Sequence, residues 1–462
     1  MQGLALRLLF APGMTQTAEV RESEPAAPVT PKPWLRRALG RITNAPALTS
    51  RQHRVLWLVS LASLFDQYDR SLIVMALPQI QAGLSIPESQ VGLLGSFVRF
   101  GSLPALFIAL AADRLGRRRA LLGTVLAYTL LTGASAFAPD LRTFLGLQFL
   151  SRVFGTAEML IAVVVISEEF DAATRGWGVG AFLSIQALGV GLASILLPLA
   201  ASTPNGWRGL YLVGLGPMLL LAWLRRSLPE TARFEARERA LGARLTAQRY
   251  FVPMLKLVRA YPQRFVATAT QLFFMGTAYA AADFFGPKYL QQAHGWTPGQ
   301  VSTMYLTAGG LAILGAPLLG RLGDRIGRRP VAIAASAGLI VFALGFYNGA
   351  GPWLVPLWVA AIFTVVGHDA VLSAYGAELF PTSHRSTAAA ARLIVATLAG
   401  MLGLALESAL YAATGSHWQA ISILLVIGLA SPLVIAVAFP ETAGRSLEEI
   451  SPEHEELQGE TT

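Results

Sequence analysis

The sequence predicts an all-α integral membrane protein, with twelve transmembrane helices in two pseudo-symmetric six-helix halves. Three observations predict it. First, 54% of the 462 residues are hydrophobic and 14% are charged, whereas a soluble domain carries about 25% charged residues. Second, the apolar residues fall into twelve runs, each near the roughly 20 residues needed to cross the hydrocarbon core of a bilayer. Lipid offers the backbone no hydrogen bonds, so runs of that length are helices. Third, the chain repeats itself. Asp113-Arg114-Leu115-Gly116-Arg117-Arg118 returns as Asp324-Arg325-Ile326-Gly327-Arg328-Arg329, 211 positions downstream (324 − 113). Glu168 and Arg175 return as Glu378 and Arg385, and Pro229-Glu230-Thr231-Ala232 as Pro440-Glu441-Thr442-Ala443. Three echoes in the same order at nearly one offset mark two tandem copies of one architecture.

In chain order, residues 1–54 hold Pro, Ala, Ser and scattered arginines and read as a disordered cytoplasmic tail. Met1 to Phe10 has the apolar character of a signal peptide, but Arg7 interrupts it and the next apolar span starts far downstream. The N-terminal half, 55–224, carries spans near 55–78, 91–112, 120–138, 143–166, 176–203 and 209–224. A cytoplasmic linker, 225–263, alternates charge at Glu235, Arg237, Glu238 and Arg239 and predicts short surface helices. The C-terminal half, 264–439, carries spans near 264–286, 299–319, 330–348, 353–377, 386–412 and 417–439. Residues 440–462 form a second cytoplasmic tail, acidic at its end. Alternate connections hold nearly all the arginines; the others hold only Arg142, Arg208 and Lys288. That bias places both termini in the cytoplasm of a cell (inner or plasma) membrane.

The same distribution excludes other classes. The net charge of +9 flanks the spans, as membrane orientation requires, and so does not indicate nucleic acid. The absence of cysteine excludes disulfides and thiolate metal sites. The 6 histidines are not spaced as a metal site. No Walker-type phosphate loop is present, so nothing points to direct ATP coupling. Neither enzymatic chemistry, nor a metal, nor a cofactor is expected.

Ionisable residues inside spans cost about 2.5–3.5 kcal/mol each on insertion scales and so call for a reason. The first span holds Asp66, Asp69 and Arg70, whose spacings of three and four put them on one helical face. Asp66 and Arg70 can neutralise each other, leaving Asp69 without an obvious partner. A carboxylate held away from bulk water takes up a proton more readily than one in solution, as a proton carrier must. Arg99 and Arg152 lie at similar depth and can bind an anion or offset those acids; guanidinium matches carboxylate bidentately. Glu158 reads as a proton site or as the partner of Arg99. In the second half, His368-Asp369, Arg392 and Glu407 are candidates for the substrate site; histidine is the side chain suited to switch charge near neutral pH, and an adjacent Asp can tune it. Asp283 is read as reaching water at the outer end of its span. Tyr68, Phe97, Tyr279, Phe284 and Tyr375 are candidate cavity aromatics, with helix packing the simpler reading for any one of them.

From about residue 50 to 450 this arrangement resembles the major facilitator superfamily. Pro229-Glu230-Thr231-Ala232-Arg233-Phe234 and Pro440-Glu441-Thr442-Ala443-Gly444-Arg445 resemble signatures of its sugar-porter-like branch, which also includes metabolite–proton and aromatic-acid–proton symporters. Asp66-Gln67-Tyr68-Asp69 is similar to the Asp-Gly-x-Asp of the aromatic-acid symporters, with Gln67 in place of Gly. Of the hexose carriers' seventh-helix pattern only Gln271 and Gly276 remain, and the first loop motif has Ala109 where the second keeps Gly320. The resemblance implies a monomer with a substrate site between the halves near the bilayer centre, and alternating access by rocking. It implies a cytoplasmic gate built from Asp113, Arg117, Glu168 and Arg175 and, in the second copy, Asp324, Arg328, Glu378 and Arg385. Asp113 would accept from a neighbouring helix N-terminus and pair with Arg117, latching that side shut.

The expected function is secondary transport by proton-coupled symport of a small organic metabolite, an organic or aromatic acid ahead of a sugar. Asp66, Asp69 or Glu158 would carry the proton and the proton gradient would supply the energy. Arg70, Arg99, Arg152, Gln271, His368, Asp369, Arg392 and Glu407 are the candidate substrate residues. Proton-driven efflux of amphipathic compounds, a neutral-sugar carrier and a non-transporting membrane sensor are the alternatives.

Overall fold

The structure, a computed structural model, describes residues 46, 48–171, 174–203, 206–226, 257–381, 385–445 and 447–450. The N-terminal tail to residue 45, most of the linker with the first Pro-Glu-Thr-Ala copy, and the final twelve residues lie outside that set, as does the side chain of Asp113.

Among the described residues twelve long helices follow one another. In the first half they are α1 (Ser50–Met75), α2 (Val91–Phe100, continuing as Ala105–Leu115), α3 (Arg117–Ser135), α4 (Leu141–Glu169), α5 (Arg175–Leu196) and α6 (Gly206–Val213, continuing as Leu215–Arg225). In the second they are α7 (Pro262–His294), α8 (Pro298–Ala312, continuing as Gly315–Ile326), α9 (Arg328–Asn348), α10 (Leu354–Glu378), α11 (Arg385–Thr414) and α12 (His417–Gly428, continuing as Ala430–Ala438). A short helix, Leu77–Gly83, follows α1. Among the described residues 10 helical stretches are long and apolar enough to cross a membrane. The two long helices outside that group are α1, with its buried Asp66 and Asp69, and α3, which opens on Arg117 to Arg119.

Local chemistry sets the helix ends. Thr49 closes a capping box with Gln52 at the start of α1, and Thr297 does the same with Gln300 at α8. Asp140 caps α4 by accepting from the Thr143 backbone N–H at 2.9 Å, and that bond holds its carboxyl below the ordinary range. Each copy of the loop motif turns on its glycine: Gly116 has φ 92° and Gly327 has φ 112°. L side chains rarely adopt that region, so the motif needs Gly between the end of one helix and the first arginine of the next.

Glycine also governs how closely the helices approach. A Cβ on Gly189 of α5 would stand 2.2 Å from the Leu64 carbonyl oxygen of α1, and one on Gly403 of α11 would stand 2.2 Å from that of Thr277 on α7. Backbone approaches this tight need small residues at the contact. The principal contacts between the halves pair α2's first segment with α11, α8's first segment with α5, and α1 and Leu77–Gly83 with α7. The second segment of α2, which leads into the arginine-rich loop, makes its principal contacts with α3 and α4 of its own half. The halves therefore meet at the end away from the arginine clusters.

Candidate functional site

A cavity of about 480 Å³ lies between the halves. Its polar wall includes Gln67 and Arg70 of α1, Arg99 of α2, Arg152 and Thr156 of α4, Asp283 of α7, Tyr305 of α8 and Thr397 of α11. Val74, Leu103, Met159, Val190 and Leu393 supply much of the apolar wall. The first half contributes three guanidinium groups; the second half contributes the one acidic side chain among the described wall residues.

The three arginines differ. Arg70 donates through Nε to Asp66 Oδ2 at 2.7 Å and through Nη2 to Thr156 Oγ1 at 3.2 Å. Gly155 makes room for that pair: a Cβ there would stand 2.1 Å from Asp66 Oδ1. Arg99 leans on Gly400 of α11, where a Cβ would stand 2.5 Å from Nη1. Neither Arg99 nor Arg152 has an ion-pair partner within 4 Å among the described residues. Guanidinium groups in such a position are suited to pair with a carboxylate.

Asp66 and Asp69 are both buried, at 3% and 7% exposure, and neither lines the cavity. Although three residues apart, they serve different neighbours. Asp66 turns toward α4 and Arg70. Asp69 turns toward Tyr128 and Thr132 of α3 and Gly214 of α6, and its Oδ1 has no hydrogen-bond partner.

Glu158 is fully compensated. Its Oε1 accepts from Arg225 Nη2 at 2.7 Å and its Oε2 from Ser63 Oγ at 2.9 Å, with both members of the ion pair at 0% exposure. Arg225 also donates to the carbonyls of Leu58 and Val59 at 3.1 Å. The partner of Glu158 is thus Arg225 rather than Arg99. Arg225, read from sequence as an orienting charge in the linker, is instead an interior tie among α1, α4 and α6.

The remaining second-half candidates are spread out, and none lines the cavity. Gln271 donates to Ser431 Oγ at 3.1 Å and fastens α7 to α12. Arg392 donates to the Leu372 carbonyl at 2.7 Å and crosses Gly376, where a Cβ would stand 1.3 Å from its Nη1. His368 is buried beside the exposed Asp369, with Nδ1 and Oδ1 3.1 Å apart. None of the aromatics named from sequence lines the cavity: Tyr68 donates to the Leu210 carbonyl at 2.7 Å, Phe284 packs on Gly95, Tyr375 bonds Pro440, Phe97 packs on Phe149 and Tyr279 bonds Asp283.

Glu407 belongs to a network at the closed end. His417 Nδ1 lies 2.5 Å from Glu407 Oε1, and its Nε2 lies 2.9 Å from Glu88 Oε2. Glu88 also pairs with Lys288, whose Nζ donates to Gln81 Oε1 at 2.6 Å. Gln81 and Glu88 come from the α1–α2 connection, and Lys288, Glu407 and His417 from the second half, so the network spans both halves. Lys288, one of the three basic residues assigned to outer loops, is buried at 0% exposure.

At the opposite end the motif residues pair within each half. Arg117 Nη2 meets Glu168 Oε1 at 3.2 Å. In the second copy Arg328 Nε meets Glu378 Oε1 at 2.7 Å and its Nη2 meets Asp324 Oδ1 at 3.2 Å. Thr442 donates to Glu378 Oε2 at 2.6 Å. Glu441 accepts from the backbone N–H groups of Arg328, Arg329, Thr442 and Ala443 at 2.8–3.1 Å. Partial burial pushes its carboxyl up, but those four bonds outweigh it and hold the group below the ordinary range. Arg175 opens α5 and makes no ion pair among the described residues, while Arg385 opens α11.

Comparison with known proteins gives the family. The Major Facilitator Superfamily profile matches residues 59–315 and 287–457, and the chain belongs to that family. It is a multi-pass membrane transporter of that type and not an enzyme. It is 28% identical over 392 residues to the gallate transporter of Pseudomonas putida, covering 78% of this chain and 84% of that one. It is 25% identical over 344 residues to the cis,cis-muconate transport protein of Acinetobacter baylyi, covering 71% and 80%. Its fold is similar to that of the xylose transporter XylE from E. coli in the inward-open conformation, with TM-score 0.70 at 16% identity over 86% of this chain and 99% of that one.

Asp283, Thr156, Tyr305 and Thr397 were not selected from sequence as site residues. Thr156 carried a signal, since it lies four residues after Arg152 on the same helix face. Asp283 carried one too, as an acid within the apolar span near 264–286, but its position near the end of that span suggested solvent.

Proposed function

We propose that this transporter is a proton-coupled symporter of a small organic acid with an apolar or aromatic body. It works by alternating access across the plasma membrane, with both termini in the cytoplasm. The observation that carries the reading is the pair of uncompensated guanidinium groups, Arg99 and Arg152, in one cavity between the halves. A neutral sugar offers no charge to satisfy them, and a cationic amphiphile would be repelled. The cavity falls in the ordinary size range of small-molecule sites, about 300–1,000 Å³. The Pseudomonas and Acinetobacter relatives, both named for carboxylates, support the same class.

The residues divide the work as follows. Arg99 and Arg152 hold the carboxylate through charge-assisted hydrogen bonds, and the apolar wall takes the body. Asp66 is occupied by Arg70 and holds that guanidinium at the cavity wall. Asp69, with an unpartnered buried oxygen, takes the proton, and its contacts with α3 and α6 carry the change into the packing of the first half. Glu158 is committed to Arg225 and is not available for this role. The halves rock about the bound anion: the Glu88–Lys288–His417–Glu407 network parts as the arginine-rich ends approach.

Uptake of radiolabelled benzoate into proteoliposomes tests the reading. An inward proton gradient should drive accumulation above equilibrium, and an uncoupler should abolish it. Asp69→Asn should retain exchange of benzoate for benzoate and lose gradient-driven accumulation. Accumulation that is indifferent to the proton gradient would sink the proposal.

A further inference from the structure

The cavity wall opposes a carboxylate to an arginine across the interface between the halves, and nothing in the sequence reading used it. We infer that Asp283 and the substrate carboxylate compete for Arg99, and that protonation of Asp283 settles the competition in favour of the substrate. The inference rests on the anion reading of the same cavity and assigns it a second titrating group with a distinct task.

The placement carries the argument. Arg99 projects from α2 of the first half and Asp283 from α7 of the second, and both line the cavity. They lie close enough to interact but not within 4 Å, so no ion pair is closed between them. Asp283 is the acidic side chain of the described wall, and the other buried acids are engaged elsewhere. Asp66 pairs with Arg70, Glu158 with Arg225, and Glu407 with His417, while Asp69 sits behind the wall. A substrate carboxylate entering this gap meets the attraction of Arg99 and Arg152 and the repulsion of Asp283. Like charges at short range in a poorly hydrated site disfavour each other strongly.

The surroundings of Asp283 are otherwise uncharged or more distant. On its own helix, Tyr279 Oη is 3.4 Å from Oδ1. From α8 and α9, Tyr305 and Tyr347 face it. From α1, Arg70 lines the same cavity and is paired with Asp66. From α10, Asp369 acts on the same Tyr279. Helix α11 presents Thr397 to the cavity, its Arg392 being turned to the Leu372 carbonyl. No basic side chain other than Arg99 faces Asp283 among the described residues. Protonating Asp283 therefore changes the charge seen at Arg99 without a second cation to absorb the effect.

The charge count fixes what protonation of Asp283 does at the wall. Asp66 and Arg70 cancel, so Arg99, Arg152 and Asp283 leave the wall with one net positive charge. A proton from water on the entry side binds the Asp283 carboxylate and frees the Arg99 N–H groups for the substrate carboxylate. On the exit side the anion leaves, Asp283 returns its proton to water, and its carboxylate faces Arg99 again. Asp283 then carries one proton across with each carboxylate, beside the proton that Asp69 takes, with no redox or covalent step.

The test is the affinity of the purified full-length protein for benzoate between pH 5.5 and pH 8, a range over which benzoate itself stays ionised. Wild type should bind more tightly toward acid, by up to about tenfold per pH unit where Asp283 titrates. Asp283→Asn should bind at pH 8 about as tightly as wild type does at pH 5.5, with a flat profile. Asp283→Glu should keep the pH dependence with a shifted midpoint, which a merely structural role would not produce. Should Asp283→Asn fail to fold, Arg99→Gln carries the test: binding should be weak and its pH dependence lost. Wild-type pH dependence in Asp283→Asn or Arg99→Gln would overturn the inference alone. Loss of benzoate binding at all pH values in a folded Asp283→Asn would also overturn it. If wild type binds no benzoate at any pH, the anion reading itself fails and takes this one with it.

Discussion

Removing the Arg225 guanidinium should damage the first half more than any surface change. Arg225 and Glu158 are each at 0% exposure and bonded at 2.7 Å. Arg225→Met keeps most of the side-chain length and removes the charge. Glu158 is then an uncompensated carboxylate among α1, α4 and α6, holding only the 2.9 Å bond from Ser63. Breaking a buried ion pair by removing one partner costs about 3–5 kcal/mol, whereas replacing both with apolar residues of similar volume is often close to neutral. The carbonyls of Leu58 and Val59 that Arg225 also bonds lie inside α1, so they keep their helical N–H partners and add little to the loss. In detergent, the melting temperature of Arg225→Met should therefore fall by many degrees, and Arg225→Met/Glu158→Met should recover most of it. If the single variant melts within a degree of wild type, or the double variant is no better than the single, the compensation argument is wrong.

Three further predictions follow from particular contacts. Glu441→Gln should weaken the start of α9, at about 1 kcal/mol for a lost helix cap, read as a lower melting temperature. Because the Glu441 carboxyl is held below its ordinary value, its contribution is present above the unfolded pKa of about 4.3. It is lost as pH falls through the lower folded value, so wild type and Glu441→Gln should converge in strong acid and separate at neutral pH. Gly155→Ala places a Cβ within 2.1 Å of Asp66 Oδ1; it should displace Asp66 from Arg70 and cut benzoate transport at least tenfold with expression retained. Lys288→Met leaves Glu88 and Glu407 to share His417, and should open the end away from the arginine clusters. The chain has no cysteine, so Val74→Cys in the cavity is a clean reporter: labelling by an impermeant maleimide from that face should rise several-fold, and unchanged labelling would contradict the gate.

The fold was legible because its physics is one-dimensional. Apolar span length, the arginine bias and the repeated Asp-Arg-x-Gly-Arg-Arg are properties of sequence order, and Gly116 and Gly327 sit where a helix must stop and restart. The ion pairs Arg117–Glu168 and Arg328–Glu378 recur in both halves because the repeat places both partners at the same offset. The cavity was half legible: Arg70, Arg99 and Arg152 are costly enough in lipid to announce themselves. What sequence could not give was which cations stay unpaired. Arg225 read as a flanking charge because it follows its span, and only the packing of the end of α6 against α1 and Glu158 of α4 brings it inside. Lys288 read as an outer-loop charge for the same reason. Asp66 and Asp69 share a helical face by spacing, yet α4 and α3 take them separately, since neighbouring helices divide a face that periodicity treats as one.

The central claim is that the cavity holds a carboxylate, and benzoate against benzamide tests it most directly, since the two share a ring and differ in charge. Ligand that binds the native state raises its melting temperature. Benzoate should stabilise the wild-type protein and benzamide should not, and Arg152→Gln should lose the benzoate effect while melting like wild type without ligand. Equal stabilisation by both compounds, or a benzoate effect that survives without Arg152, would contradict the account.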